Sequence, residues 1–121
     1  MRIVVPTGEN NGYLSKMGAH FGKAPFYTII ITDDNGEIVD VEGVQNPGHN
    51  ANACGNAVAN ILALNPDALI VVGIGQSPAE GFAKAGLSVY ADRDSITVEE
   101  SIKKLYNNQL QKITSGTCSI K

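Results

Sequence analysis

The chain has 121 residues, 43% of them apolar and 17% charged, with nine Lys and Arg against twelve Asp and Glu and a formal net charge of -3. That length and balance fit one compact domain and exclude a phosphate-tracking surface of clustered Lys and Arg, so no nucleic-acid partner is expected. No apolar run approaches the roughly 20 residues that span a bilayer, and Met1-Arg2 leads straight into Ile3-Val4-Val5-Pro6 without a signal or transit pattern, so the expectation is a cytoplasmic protein with no membrane partner.

Arg2 to Pro6 reads as a short apolar strand. Thr7 to Gly22 follows with four glycines, two asparagines and His20, too polar for a core, and within it Gly8 to Gly22 reads as a mobile glycine-rich loop able to act as a lid. Phe26 to Thr32 and Glu37 to Val44 flank the turn residues Asp33-Asp34-Asn35-Gly36, which is the pattern of a β-hairpin. In the second of these strands Val39 and Val41 alternate with Asp40 and Glu42, so one side meets water as at a sheet edge. That open edge leaves room for a homo-oligomer.

From Asn50 the period becomes helical, with Ala57, Val58, Ile61 and Leu62 on one face until Asn65-Pro66 stops the helix. Asp67 to Val72 is an apolar strand long enough to be buried on both faces. Ser77-Pro78-Ala79-Glu80 has capping-box spacing and starts a helix that ends at Gly86, and Leu87 to Ala91 is a further strand. Thr97-Val98-Glu99-Glu100 is a second capping box, followed by a stripe of Val98, Ile102, Leu105 and Tyr106. Residues 107–121 lose periodicity and hold no acids, so they read as a loose or partner-docked tail behind a single domain of residues 1–106.

The element order is β, β, β, α, β, α, β, α. It predicts an α/β layered domain with helices on both faces of a five-stranded mixed sheet, in the order 3-2-1-4-5, with the second strand antiparallel. One end of such a sheet collects the loops 7–22, 45–50 and 73–77, and ligands favour that end. His20 and His49 fall there, with Cys54 near the start of the first helix, where the helix dipole favours a thiolate. Asn46 and Asn50 share the rim.

Imidazole nitrogen and thiolate sulfur suit iron, copper, zinc and sulfide clusters, which makes His20, His49 and Cys54 candidate metal ligands. Spacing alone favours loop hydrogen bonding for the two histidines and packing for Cys54, because neither Cys-x-x-Cys nor His-x-x-x-His occurs; convergence on one end of the sheet raises the metal reading. Cys118 could join them from the tail, though it reads more readily as a free terminal thiol. Gly73-Ile74-Gly75, followed by a helix start at Ser77, could cradle an anion on backbone N–H groups, or could simply be a tight turn. The third glycine of a dinucleotide fingerprint is missing, and Asp92, Asp94 and the other later acids do not stand at the end of a following strand in the way that ribose recognition requires. A carboxylate-bound metal nuclease needs acids on the central strands, and Arg2-Ile3-Val4-Val5-Pro6 and Val71-Val72-Gly73 carry none.

The segments His20-Phe21-Gly22-Lys23-Ala24-Pro25-Phe26-Tyr27, Asn46-Pro47, Asp67 to Gly75, Gly86-Leu87-Ser88-Val89-Tyr90 and Val98-Glu99-Glu100-Ser101-Ile102 resemble the dinitrogenase iron-molybdenum cofactor biosynthesis family over residues 1–106. The resemblance implies a ribonuclease H-like three-layer fold without nuclease carboxylates. It also implies carriage of iron-molybdenum cofactor, its precursors, or other molybdenum or iron-sulfur species. The family's His-Phe-Gly motif falls on His20, Phe21 and Gly22, making His20 the first candidate for cluster contact, with His49 next.

The leading expectation is therefore a non-enzymatic carrier or scaffold for a metal-sulfur cluster or precursor. Its cofactor-binding residues would be His20, Phe21, Gly22, Asn46, Gly73, Gly75 and Ser77, its metal ligands His20, His49 and Cys54, and its partners cluster donor or acceptor proteins. The alternatives are a metal-free module that binds a small anion or a protein, and a thiol enzyme using Cys54.

Overall fold

The computed structural model describes residues 1–9, 11–17, 24–45, 59–72 and 76–113. Its strands are β1 (Arg2–Thr7), β2 (Phe26–Thr32), β3 (Ile38–Gln45), β4 (Ala68–Val71), β5 (Ser88–Ala91) and β6 (Gln111–Ile113). They form one sheet in the order β3-β2-β1-β4-β5-β6. The helices are α1 (Gln76–Lys84) and α2 (Val98–Tyr106), with a 3-10 turn at Gly12–Leu14 and a helical stretch at 59–62.

β1 pairs antiparallel with β2 and parallel with β4, and β4 pairs parallel with β5, as the sequence pattern predicts. The strand count is corrected from five to six. Gln111–Ile113, inside the segment read as a loose tail, pairs antiparallel with β5, Val89 opposite Ile113 and Ala91 opposite Gln111. Three residues with two polar side chains carry no strand signal of their own; the unpaired edge of β5 supplies it.

Alternation along the strands divides the core into two layers. Val4, Tyr27, Ile29, Leu69, Val71, Val89 and Ile113 bury one face against Ile61 of the 59–62 stretch and Ala79 and Phe82 of α1. Ile3, Val5, Ile30, Ala68 and Ile70 bury the other against Val98 and Ile102 of α2. The central strands are covered on both sides, and β4 is buried at all of its positions.

β3 is the exposed edge, as expected, but its alternation is broken. Thr32 pairs with Ile38 and Ile31 with Asp40, so Val39 is the extra residue of a β-bulge and is 61% exposed rather than sharing a side with Val41. The Asp40 carboxylate also accepts the Val41 N–H at 2.9 Å. The bulge and this carboxylate both discourage another strand from adding at this stretch.

The helix ends follow local chemistry. α1 closes in a Schellman motif: Leu87 N–H donates to Phe82 O at 3.0 Å and Gly86 N–H to Ala83 O at 3.1 Å, with Gly86 at φ 79°. Leu87 and Phe82 belong to the same apolar layer, which supplies the contact that usually accompanies the motif. Thr97 caps α2 by accepting the Glu100 N–H, while the Glu100 carboxylate accepts from Ile96 N–H at 3.0 Å. This is a capping box displaced by one residue from its usual reciprocal form. At the other end Asn108, at φ 57°, takes the left-handed position, and Gln109 N–H donates to Lys104 O at 2.9 Å.

Candidate functional site at the carboxyl end of the parallel strands

The parallel strands β1, β4 and β5 end together at Thr7, Val71 and Ala91. Phe26, where β2 begins, lies opposite both Thr7 and Gln45, where β3 ends. The segments 18–23, 46–58 and 73–75 therefore attach to the described structure at this end, through Met17, Ala24, Gln45 and Val72. That the chain departs for these segments from one end of the sheet is what the sequence predicts.

Of the expected site residues, His20, Phe21, Gly22, Asn46, His49, Cys54, Gly73, Gly75 and Cys118 lie outside the described residues. Ser77 falls within α1, and its side chain is likewise outside them. Among the described residues no three His, Cys, Asp or Glu side chains gather in a way that could hold a metal ion.

Part of the rim is described in detail, and it is held by backbone bonds. Gly8 N–H donates to Lys16 O at 2.9 Å, and Met17 bridges Thr7, so residues 15–17 lie strand-like beside the end of β1. On their other side Met17 N–H donates to Ile96 O and Val98 N–H to Ser15 O, both at 3.0 Å, with Lys16 opposite Thr97. The lid reading of the glycine-rich segment is corrected for residues 15–17, which are tied on two sides. Below them Thr7 Oγ1 and Thr28 Oγ1 are 3.0 Å apart, both residues fully buried, and Thr7 Oγ1 also donates to Glu9 O at 3.0 Å.

Asp92, to which sequence reasoning gave no role, follows β5 directly at the end of a parallel strand, its N–H donating to Val71 O at 2.8 Å. The residue is 3% exposed and its side chain is turned inward. Oδ1 accepts the N–H groups of Asp94 at 3.1 Å and Ser95 at 2.9 Å, and Lys104 Nζ stands 3.9 Å away. The readable signal is Asp92-Arg93-Asp94-Ser95 after a strand, an Asp that caps its own turn.

Burial by itself would raise the Asp92 carboxyl, but the nearby hydroxyls of Ser95 and Ser101 and the N–H groups of Ser95 and Asp94 outweigh it and hold the group below the usual carboxylate range. Asp92 Oδ2, Ser95 Oγ and Ser101 Oγ are nevertheless buried without a hydrogen bond of normal geometry. Beside them lies a polar recess of about 210 Å³ lined by Asp92, Arg93, Asp94, Lys104 and Gln109. A larger recess of about 440 Å³ lies beside the β2–β3 turn, between Gly36, Glu37, Ile102 and Lys103, away from the gathered loops.

The family model described as dinitrogenase iron-molybdenum cofactor matches residues 1–108. The chain belongs to this family. No curated protein matches it. Among solved structures, the apo form of the orange protein from Desulfovibrio gigas is similar at 20% identity and a TM-score of 0.79, covering 94% of this chain and 93% of that one. A Thermotoga protein provisionally named NifB shares 24% identity at a TM-score of 0.75, with 94% of each chain covered. A Methanocaldococcus jannaschii protein provisionally called a dinitrogenase shares 19% at 0.73, covering 95% and 96%. At these identities the likeness establishes a shared fold. No helix among the described residues is long and apolar enough to cross a membrane.

Proposed function

We propose that this member of the dinitrogenase iron-molybdenum cofactor family is a non-enzymatic carrier or scaffold that holds an iron-molybdenum, iron-sulfur or related metal-sulfur cluster or precursor and passes it to a partner protein. The observation that carries the reading is the family match over residues 1–108. It is supported by the attachment of three chain segments, which between them bear both histidines, Cys54 and the Gly73-Ile74-Gly75 turn, to one end of the sheet.

In this reading His20, His49 and Cys54 donate imidazole nitrogen and thiolate sulfur to the cargo, a donor set suited to soft and borderline metals. Phe21, Gly22 and Asn46 line the same position. The N–H groups of Gly73, Gly75 and Ser77 offset the negative charge that sulfide-bridged clusters carry. The cargo enters and leaves intact, so moderate affinity serves the function better than tight burial. The working compartment is the cytoplasm, and the partners are cluster donors or acceptors.

Anaerobic incubation with iron, sulfide and tetrathiomolybdate, followed by desalting and visible absorption, tests the reading. A stoichiometric chromophore that stays with the protein is the expected result. A colourless protein, stabilised by small anions and indifferent to chelators, would instead make it a metal-free binding module.

A further inference from the structure

We propose that Asp92 is a positioning residue for the rim from which the His20 segment leaves the sheet, acting through the turn 92–95 and the backbone bond between Met17 and Ile96. The inference rests on the carrier reading for its functional consequence, though not for its geometry.

One side-chain atom, Asp92 Oδ1, accepts two consecutive turn N–H groups, those of Asp94 and Ser95. The chain then passes directly to Ile96, whose carbonyl accepts Met17 N–H, and to Val98, whose N–H reaches Ser15 O. Met17 is two residues before the Ala19-His20 pair and is the last described residue on that side of the segment. The position from which this segment departs is thus tied to the turn as well as to β1.

Apolar packing does not fix the turn in place of Asp92. Ile96 is 65% exposed; its N–H reaches the Glu100 carboxylate of α2, so the tie between the turn and the end of β5 runs through Asp92 Oδ1. Asp92 itself is anchored from three directions: by its N–H on Val71 O, by its own burial, and by Lys104 reaching across from α2. A carboxylate anchored to the sheet and bonded to the turn transmits the sheet's position to Ile96, and Ile96 transmits it to Met17. Loss of Oδ1 removes two bonds from a four-residue turn and leaves the buried Ser95 N–H and the part-buried Asp94 N–H to find water, which favours opening of the turn.

Amide hydrogen exchange on the metal-free protein tests the geometry. In Asp92→Ala, the Ser95 and Met17 amides exchange on the order of tenfold faster, while amides of the β1–β2 ladder keep their protection. Asp92→Asn keeps an oxygen acceptor and restores most of that protection, leaving Ser95 and Met17 about threefold faster and by the same factor. Met17 exchange at the native rate in Asp92→Ala overturns the proposal. If Asp92→Ala does not fold, the Asn variant decides, and faster exchange at Ser95 without faster exchange at Met17 overturns it.

Cargo is measured separately after anaerobic reconstitution with iron, sulfide and tetrathiomolybdate. The Asp92→Ala protein loads to the native stoichiometry but loses metal to a chelator about tenfold faster, and Asp92→Asn recovers the native rate. Equal release rates overturn the functional half of the inference. A native protein that retains no metal overturns the carrier reading, while the exchange experiment still judges the role of Asp92.

Discussion

The ring of Tyr106 lies so close over Gly36 that a Cβ on Gly36 would sit 2.7 Å from Tyr106 Cγ. Gly36 also holds φ 85° in the turn after β2, and Tyr106 Oη is 2.6 Å from Thr32 Oγ1. The end of α2 is thereby fastened to the β2–β3 hairpin. Gly36→Ala combines a left-handed backbone penalty with overpacking against a fixed ring and should cost roughly 2–4 kcal/mol. Gly86 has a similar φ of 79° with nothing within 4 Å of the added Cβ, so Gly86→Ala should cost only about 1 kcal/mol. Urea unfolding of both variants checks the difference, and equal costs would mean that Tyr106 yields freely.

Tyr27 is 1% exposed and its hydroxyl has no hydrogen-bond partner among the described residues. Burial pushes its pKa up to about 12. The unfolded phenol titrates near 10, so the neutral hydroxyl's contribution is complete below about pH 10 and is lost as pH rises toward the folded value. Tyr27→Phe should remove that alkaline loss and, by deleting an unsatisfied buried group, raise stability at pH 7 by about 1 kcal/mol. Denaturant midpoints at pH 7 and pH 11 test both effects; a less stable Phe variant would show that the hydroxyl is satisfied.

Asp92 has the opposite sign. Its folded carboxyl lies below the usual range, so its contribution is present above the unfolded value near 4 and fades only as pH falls through the lowered folded value. Protection of the Asp94 and Ser95 amides should therefore be unchanged between pH 7 and pH 5. Exchange rates corrected for the chemistry of free amides measure this directly, and a loss of protection already at pH 5 would contradict the direction of the shift.

Thr7 and Thr28 share a buried hydroxyl pair at the end of β1. Thr7→Val strands the Thr28 hydroxyl and should cost about 1–2 kcal/mol, Thr28→Val leaves Thr7 its bond to Glu9 O and should cost less, and the double replacement should cost less than the sum by about 0.5–1 kcal/mol. A double-mutant cycle in urea reads the coupling, and strict additivity would mean the two hydroxyls do not depend on each other.

The central sheet was legible because β1, β2 and β4 alternate or bury completely, and only one order satisfies short right-handed connections. Gly86 announced the end of α1 and Thr97 the start of α2, since each local preference agrees with the final geometry. β6 was hidden because its pairing is imposed by the free edge of β5, and the Val39 bulge was hidden because it interrupts an alternation that reads as regular. The end of the sheet that gathers the loops followed from topology. The inward turn of Asp92 did not, because an acid after a strand reads equally well as a ligand-facing group or as the cap of its own turn.

The claim that this protein carries a metal-sulfur cargo at His20 is tested most directly by metal-to-protein ratios after anaerobic reconstitution and desalting, with native and His20→Ala proteins side by side. The account predicts a stoichiometric ratio for the native protein, its loss in His20→Ala, and the same unfolding midpoint for both metal-free proteins. Equal retention by the two proteins would remove His20 from the site, and no retention by either would contradict the carrier function itself.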